Sequence, residues 1–371
     1  MSQKNMNQRN MNPTIQQVSN TQDGVLKFVL SGVDTSIVNA LRRTILSDIP
    51  TVVFNASSDA TIYVNTSRTN NEILKHQLSC VPIHITNVEE HPIHEFILEV
   101  NVENTTDTIL DVTTKDFKIK NIQTNTYLTE KITREYFPPD SGTGDFILFT
   151  SLRPKLSDDL PGEKLHLECK LSIDTAKHNG KFAVASKCAY GCTVDTGRLE
   201  AELQVKKAQW KDEGKDVSFE TKNWKLLDGL RITQKNSFDF ILQSIGVFTN
   251  KELVSIACNM IIKSLQEIQE SELDITPSLN TMKNSFDIRL ENQDYTIGYL
   301  LEFILYDTYY ENEQLLTFCA FKKMHPHDNY SIIRIAYKDD AIDKQTVRGH
   351  LKTSIYTAKE IFGSIITAMN K

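Results

Sequence analysis

The sequence predicts an α+β protein in which two similar strand–helix modules lie in one chain, the first interrupted by a mainly β insert. Three observations carry this prediction. Two stretches 260 residues apart repeat each other without a gap. A long amphipathic helix pattern closes each half. Segments of period two lie between the two parts of the first module.

Residues 1–20, MSQKNMNQRNMNPTIQQVSN, are polar, Asn/Gln-rich and nearly free of aliphatic side chains, which predicts a disordered tail with no signal-peptide core. The first module is expected over 21–56 and 190–269. It opens with Leu26, Phe28 and Leu30 at the period of a half-buried strand. Asp34 and Ser36 are residue types that cap a helix start. Ile37, Ala40, Leu41, Thr44 and Ile45 then form one helical face. Shifting by 260 places Phe286, Ile288 and Leu290, then Asp294 and Thr296, then Ile297, Leu300, Leu301, Ile304 and Leu305 on the same template.

The long helix of the first half starts at a capping-box pattern, Thr249 with Glu252. Its stripe is Leu253, Ile256, Ala257, Met260, Ile261, Leu265 and Ile268. The second half ends with Val347, Leu351, Ile355, Ala358, Phe362, Ile365 and Met369 at the same spacing. Faces of this kind must be buried, so the two modules are expected to form a pseudo-two-fold pair packed through helices. Its predicted seam is Ile37, Leu41, Ile45, Ile256, Met260, Ile297, Leu300, Leu301, Ile304, Leu351, Ile355 and Phe362. The insert is expected over 57–189, with Leu165, Leu167, Cys169, Leu171 and Ile173 on one side of its clearest strand. Residues 270–283, acidic and aperiodic with Pro277, read as a linker to a second module over 284–371.

Composition limits the functions open to such a chain. Its 371 residues are 40% hydrophobic, and 41 Lys and Arg against 48 Asp and Glu give a net charge of −7. A protein that mainly grips nucleic acid usually carries a basic excess, so a self-contained nucleic-acid-binding module is the weaker alternative. No apolar run approaches the ~18–20 residues that span a bilayer. Six cysteines without a signal peptide predict reduced thiols in an intracellular protein. No phosphate-binding, nucleophile-elbow or zincin motif is found, nor an acidic run that could hold catalytic Mg²⁺, so no catalytic residue and no cofactor are expected. His325 and His327 flank Pro326 but lack companion ligands. Cys188 and Cys192 have knuckle-like spacing and could join Cys169 and His178 on paper. Cys169, however, sits on the apolar side of its strand, and buried free thiols are the preferred reading. Arg42 and Arg43 lie off the apolar face and point about 100° apart, so one can flank the seam while the other reaches outward. Their planar forks suit a partner's carboxylates or carbonyls, against the bland reading of a solvated helix face.

VDTSIVNALRRTILSDIPTVVF (33–54) closely resembles the signature of the α-like subunits of cellular RNA polymerases, which include bacterial α, its archaeal D-type counterpart and the third-largest subunit of polymerase II. NNEILKHQLSCVPIHI (70–85) and the stretch 147–186 resemble the segments that follow it. FDIRLENQDYTIGYLLEFIL and FCAFKKMHPHDNYSIIRIAY (318–337) are similar to the small partner, which is L-type in archaea and the eleventh subunit in polymerase II. The resemblance covers nearly everything after residue 20. It implies two α-subunit-type dimerisation modules, separate proteins in cells and fused here, as in large nucleocytoplasmic DNA viruses of giant-virus type. An Asn content of about 7% suits that source. This sequence departs from the pattern at Tyr299, Met324, His327 and Phe182, and keeps only Cys80 where eukaryotic third subunits have a four-Cys zinc loop.

The implied function is a non-catalytic assembly platform of a DNA-directed RNA polymerase. Its implied partners are the largest and second-largest (β′-like and β-like) subunits and other small subunits, with DNA reached only through the complex. Large-subunit docking is carried over to Asn39, Arg42 and Arg43, and to His178, Lys181 and Phe182 in the loop TAKHNGKFAVAS. The implied location is the nucleus for a cellular protein, or the virion and cytoplasmic virus factory for a viral one.

Overall fold

A computed structural model describes residues 11–88, 91–155, 157, 161–279, 281–339 and 341–371, and the chain divides into two compact units. The first unit comprises residues up to Ile45, Lys187–Gln243 and Asn250–Lys371. The second comprises Leu46–Ser186 and Ser244–Thr249. It therefore begins before the insert expected from 57.

In the first unit, strand Val25–Ser31 turns Leu26, Phe28 and Leu30 inward, as its alternation requires. It pairs antiparallel with Thr233–Ser244, and Phe28 stacks on Phe240 with ring centroids 4.9 Å apart. Strand Ala185–Val194 lies beyond Thr233–Ser244. On the opposite edge is Thr14–Asn20, so residues 14–20 are not the tail that their composition predicts. The ladder supplies backbone hydrogen bonds, which need no apolar side chains, and six of its seven residues remain exposed. Gly32 (φ +80°) makes this approach possible, because a Cβ there would lie 2.3 Å from the Asn12 carbonyl oxygen. The rest of the expected tail, residues 1–10, falls outside the described residues.

The helix Thr35–Ser47 follows, with the Asp34 carboxylate accepting from the Ser36 N–H at 2.9 Å. The repeat copy behaves alike: strand Ser285–Glu291, the Asp294 carboxylate accepting from the Thr296 N–H at 3.1 Å, then helix Tyr295–Leu305. That helix runs on into a π-helical turn, Tyr306–Asn312. Its sheet has the order Asp274–Pro277, Ser285–Glu291, Tyr330–Tyr337, Leu316–Lys322. The expected linker therefore contains an edge strand, held by one buried apolar side chain, Ile275, opposite Ile288. A single anchor of this kind leaves no period to detect.

The two long helices, Asn250–Glu270 and Lys344–Met369, pack along each other, and the second also contacts Tyr295–Leu305. Leu351, Ile355 and Phe362 are fully buried, as are Ile37, Leu41, Leu300 and Leu301, with Ile45, Ile297 and Ile304 nearly so. The first long helix is rotated from the expected stripe. It buries Val254 and Cys258, and leaves Ile256 and Met260 half-exposed.

The second unit is built on strand Lys164–Asp174, which buries Leu165, Leu167, Cys169 and Leu171. Thr51–Phe54, Ala60–Asn65 and Phe96–Glu103 pair with it. Phe117 meets Phe54, Phe137 and Phe149 edge-on in the core, a preferred aromatic arrangement.

The imidazole of His350, on the second long helix, stacks on Tyr309 at 4.2 Å between centroids and shares a 2.9 Å hydrogen bond with the Tyr337 hydroxyl. Burial lowers its pKa, and burial does the same to His84 in the second unit. The unfolded chain, with histidines near 6.5, then takes up protons before the folded one. The histidine contribution should be constant above about pH 7 and should fall as pH drops below ~6.5 towards the folded values. Urea midpoints at pH 7.5 and 5 should show this fall, and the fall should shrink in His350→Gln. Phe362→Ala should cost about 3–5 kcal/mol in the same assay, and Ile256→Ala about 1 kcal/mol or less.

Candidate functional site

Arg42 and Arg43 occupy the third turn of Thr35–Ser47, whose buried face is Ile37, Val38, Ala40, Leu41, Thr44 and Ile45. The two guanidinium groups have different fates. Arg42 donates from Nε (3.2 Å) and Nη2 (2.9 Å) to the Asn39 Oδ1 one turn earlier, which lays it along its own helix. Its charge reaches strand Ala185–Val194, where it opposes the effect of burial on Cys188 and Tyr190.

Arg43 crosses to the other repeat. Its Nε donates to Thr296 Oγ1 at 2.8 Å, and its Nη2 lies 4.0 Å from the Asp294 carboxylate that caps the second short helix. Of the two arginines it is Arg43 that contacts the second repeat, while Arg42 stays on its own helix. A pseudo-two-fold would repeat this tie, but the residue 260 positions after Arg43 is Phe303. Phe303 lines a groove of about 390 Å³ with Asp34, Ser36 and Asn39. Phe303 carries no donor to match Arg43, and the buried Ser36 Oγ has no hydrogen-bond partner among the described residues. Glu302 borders the same groove, and burial raises its pKa.

The second predicted docking group belongs to the other unit. Asn179 caps a short 3₁₀ turn, Gly180–Phe182, by accepting from the Lys181 N–H. His178 is exposed and pairs through Nδ1 with Asp174 Oδ1 at 2.6 Å. The Lys181 ammonium donates to the Asn55 side-chain oxygen. Phe182 is only 3% exposed. It is a core side chain, so a surface role for it is corrected: the turn folds the ring inward, leaving His178 exposed and Lys181 half-buried.

Of the two cysteines with knuckle-like spacing, Cys188 is buried but Cys192 is exposed, which corrects the buried-thiol reading for Cys192. Cys169 and Cys188 are buried, and burial pushes both thiols up to about 12. His325 and His327 stand side by side, 5.1 Å between ring centroids, with His325 Nδ1 accepting from the His327 N–H. Among the described residues, no group of three or more His, Cys, Asp or Glu is arranged to hold a metal ion. No helix among them is long and apolar enough to cross a membrane. The repeat offset identifies the cap residues Asp294 and Thr296, but nothing in the local sequence around Arg43 signals that it binds them.

Arg43→Ala should therefore lower stability by about 0.5–1.5 kcal/mol, a charged hydrogen bond discounted for an arginine that is 39% exposed. Arg42→Ala should stay within ~0.5 kcal/mol. A double-mutant cycle of Arg43→Ala with Thr296→Val, read by urea unfolding, should give a non-zero coupling energy.

Comparison with known proteins places this geometry in a family. The model of the RNA polymerase Rpb3/Rpb11 dimerisation domain matches residues 27–265, which include the Arg42–Arg43 helix and most of the first long helix. The chain is 40% identical over 67 residues to DNA-directed RNA polymerase subunit Rpo3 of Pyrococcus furiosus, covering 18% of this chain and 24% of that protein. It is 39% identical over 67 residues to DNA-directed RNA polymerases I and III subunit RPAC1 of Homo sapiens, covering 18% of each. Over 75 residues it is 35% identical to DNA-directed RNA polymerase II subunit RPB3 of Schizosaccharomyces pombe, covering 20% of this chain and 24% of that one. The chain thus spans between about a fifth and a quarter of the length of these relatives. The family match, in contrast, runs through well over half of the chain, which belongs to the RNA polymerase Rpb3/Rpb11 dimerisation-domain family.

Proposed function

We propose that this protein is a non-catalytic assembly subunit of a DNA-directed RNA polymerase, an α-like heterodimer folded within one chain. The observation that carries this reading is the packing of the two long helices, one from each repeat, inside a unit that also holds the Arg43–Thr296 tie. The family of residues 27–265 and the names of the relatives support the polymerase assignment. The gapless repeat supports a second module of the same kind over 284–371. In this reading the pair forms a platform on which the β-like and β′-like subunits assemble, and DNA is reached only through them. Arg42 and Asn39, with His178 and Lys181, are the docking groups. Arg43 serves the internal seam. The fusion and the Asn-rich composition favour a large nucleocytoplasmic DNA virus as source, with transcription in virion and virus factory.

Two experiments test this. A protease site placed at the fully exposed Leu279 allows the folded chain to be cut between its modules. The fragments should co-elute at micromolar concentration, because the long-helix faces would otherwise be bare apolar surface. Separation into folded monomers would end the heterodimer reading. In co-expression with the β-like subunit, Arg42→Ala should lose capture at unchanged thermal stability, since truncating a buried interfacial charge costs ~2–5 kcal/mol. Undiminished capture would return Arg42 to the solvated face.

A further inference from the structure

The second long helix begins in an electrostatically unusual way. Asp343 caps it, accepting from the Thr346 N–H at 2.8 Å, but its first turn has no acidic residue. Instead Lys344, Arg348 and Lys352 recur every four residues and share one face. Cations near a helix N-terminus add to the positive end of the macrodipole instead of offsetting it. None of the three has an ion-pair partner among the described residues. They form one wall of an open groove of about 930 Å³. Gly349 lies between them, and open space surrounds the place a Cβ would take, so nothing fills the groove from this wall.

The opposite wall is the edge strand Asp274–Pro277 with Glu272 before it. This strand is hydrogen-bonded to a neighbour on one side only. An edge of this kind can accept the backbone of an extended segment. The spacings agree as well. Helical residues four apart rise about 6 Å, and alternate residues of an extended chain are about 6.6–6.8 Å apart. Acidic side chains at every second position can therefore meet Lys344, Arg348 and Lys352 in register. Glu272 and Asp274 line the same groove and would repel a polyphosphate backbone or an unbroken acidic run.

We propose that this groove binds an extended peptide segment of a partner protein with Asp or Glu at alternate positions, lying between the basic face of the helix and the open edge of Asp274–Pro277. This site is independent of the polymerase reading, and its failure would leave that reading untouched.

The probe is a fluorescein-labelled peptide of about ten residues alternating Glu with Thr, titrated with the full chain and read by anisotropy. A matched Gln/Thr peptide and a labelled oligothymidylate of equal length serve as comparisons. The Glu peptide should bind at least roughly tenfold more tightly than the Gln peptide and weaken as salt rises. Arg348→Gln with Lys352→Gln should reduce its affinity at least about fivefold, and Lys344→Gln with Lys352→Gln, both on exposed side chains, should repeat the loss without touching the half-buried Arg348. Amide exchange at Ile275, whose N–H faces away from Ser285–Glu291, should slow when the peptide is bound. Equal binding of Glu and Gln peptides, no effect of either double variant, absence of binding, or tighter binding of the oligothymidylate would each overturn the proposal.

Discussion

The rest of the first unit depends on the pairing of Asn250–Glu270 with Lys344–Met369. Leu253, Val254, Ala257, Cys258, Ile261, Leu265 and Ile268 are buried on one helix, and Val347, Leu351, Ile355, Phe362 and Ile365 on the other. Each large aliphatic side chain removed from water contributes about 1.5–3 kcal/mol. Neither short helix could hold such a face alone, because helices of 11–13 residues are marginal in water without tertiary packing. Both long helices belong to one chain, so their contact forms without a bimolecular step.

On this apolar frame the polar contacts break the symmetry of the repeat. Arg43 joins the Asp294–Thr296 cap, where it finds a carboxylate and a hydroxyl at a helix N-terminus. On the matching side Phe303 faces Asp34 and Ser36, and the Ser36 hydroxyl is left without a partner among the described residues. An apolar ring can fill that space but cannot donate. Two neighbouring arginines of one motif thereby have different partners, Thr296 of the second repeat for Arg43 and Asn39 of its own helix for Arg42.

Much of this is legible in the sequence. Strong periodicity locates Val25–Ser31, Thr35–Ser47, Tyr295–Leu305 and both long helices, because apolar faces must be buried whatever lies opposite. The strand Lys164–Asp174 is readable from its alternation for the same reason. Thr14–Asn20 and Asp274–Pro277 are not. Both are edge strands held by backbone ladders with few apolar side chains, and a backbone hydrogen bond leaves no mark in composition.

The sequence by itself determined the repeat, the helix caps and the presence of two adjacent arginines, since these follow from local spacing and residue chemistry. The tertiary structure decided the direction of each side chain. It rotated the first long helix to bury Val254 and Cys258 and to leave Ile256 and Met260 half-exposed, turned Phe182 into the core, and gave Arg43 rather than Arg42 to the second repeat. A stripe specifies a face only to within about one residue, or 100° of rotation. The choice within that range depends on which groups lie opposite once distant segments have packed, and local sequence does not contain that information.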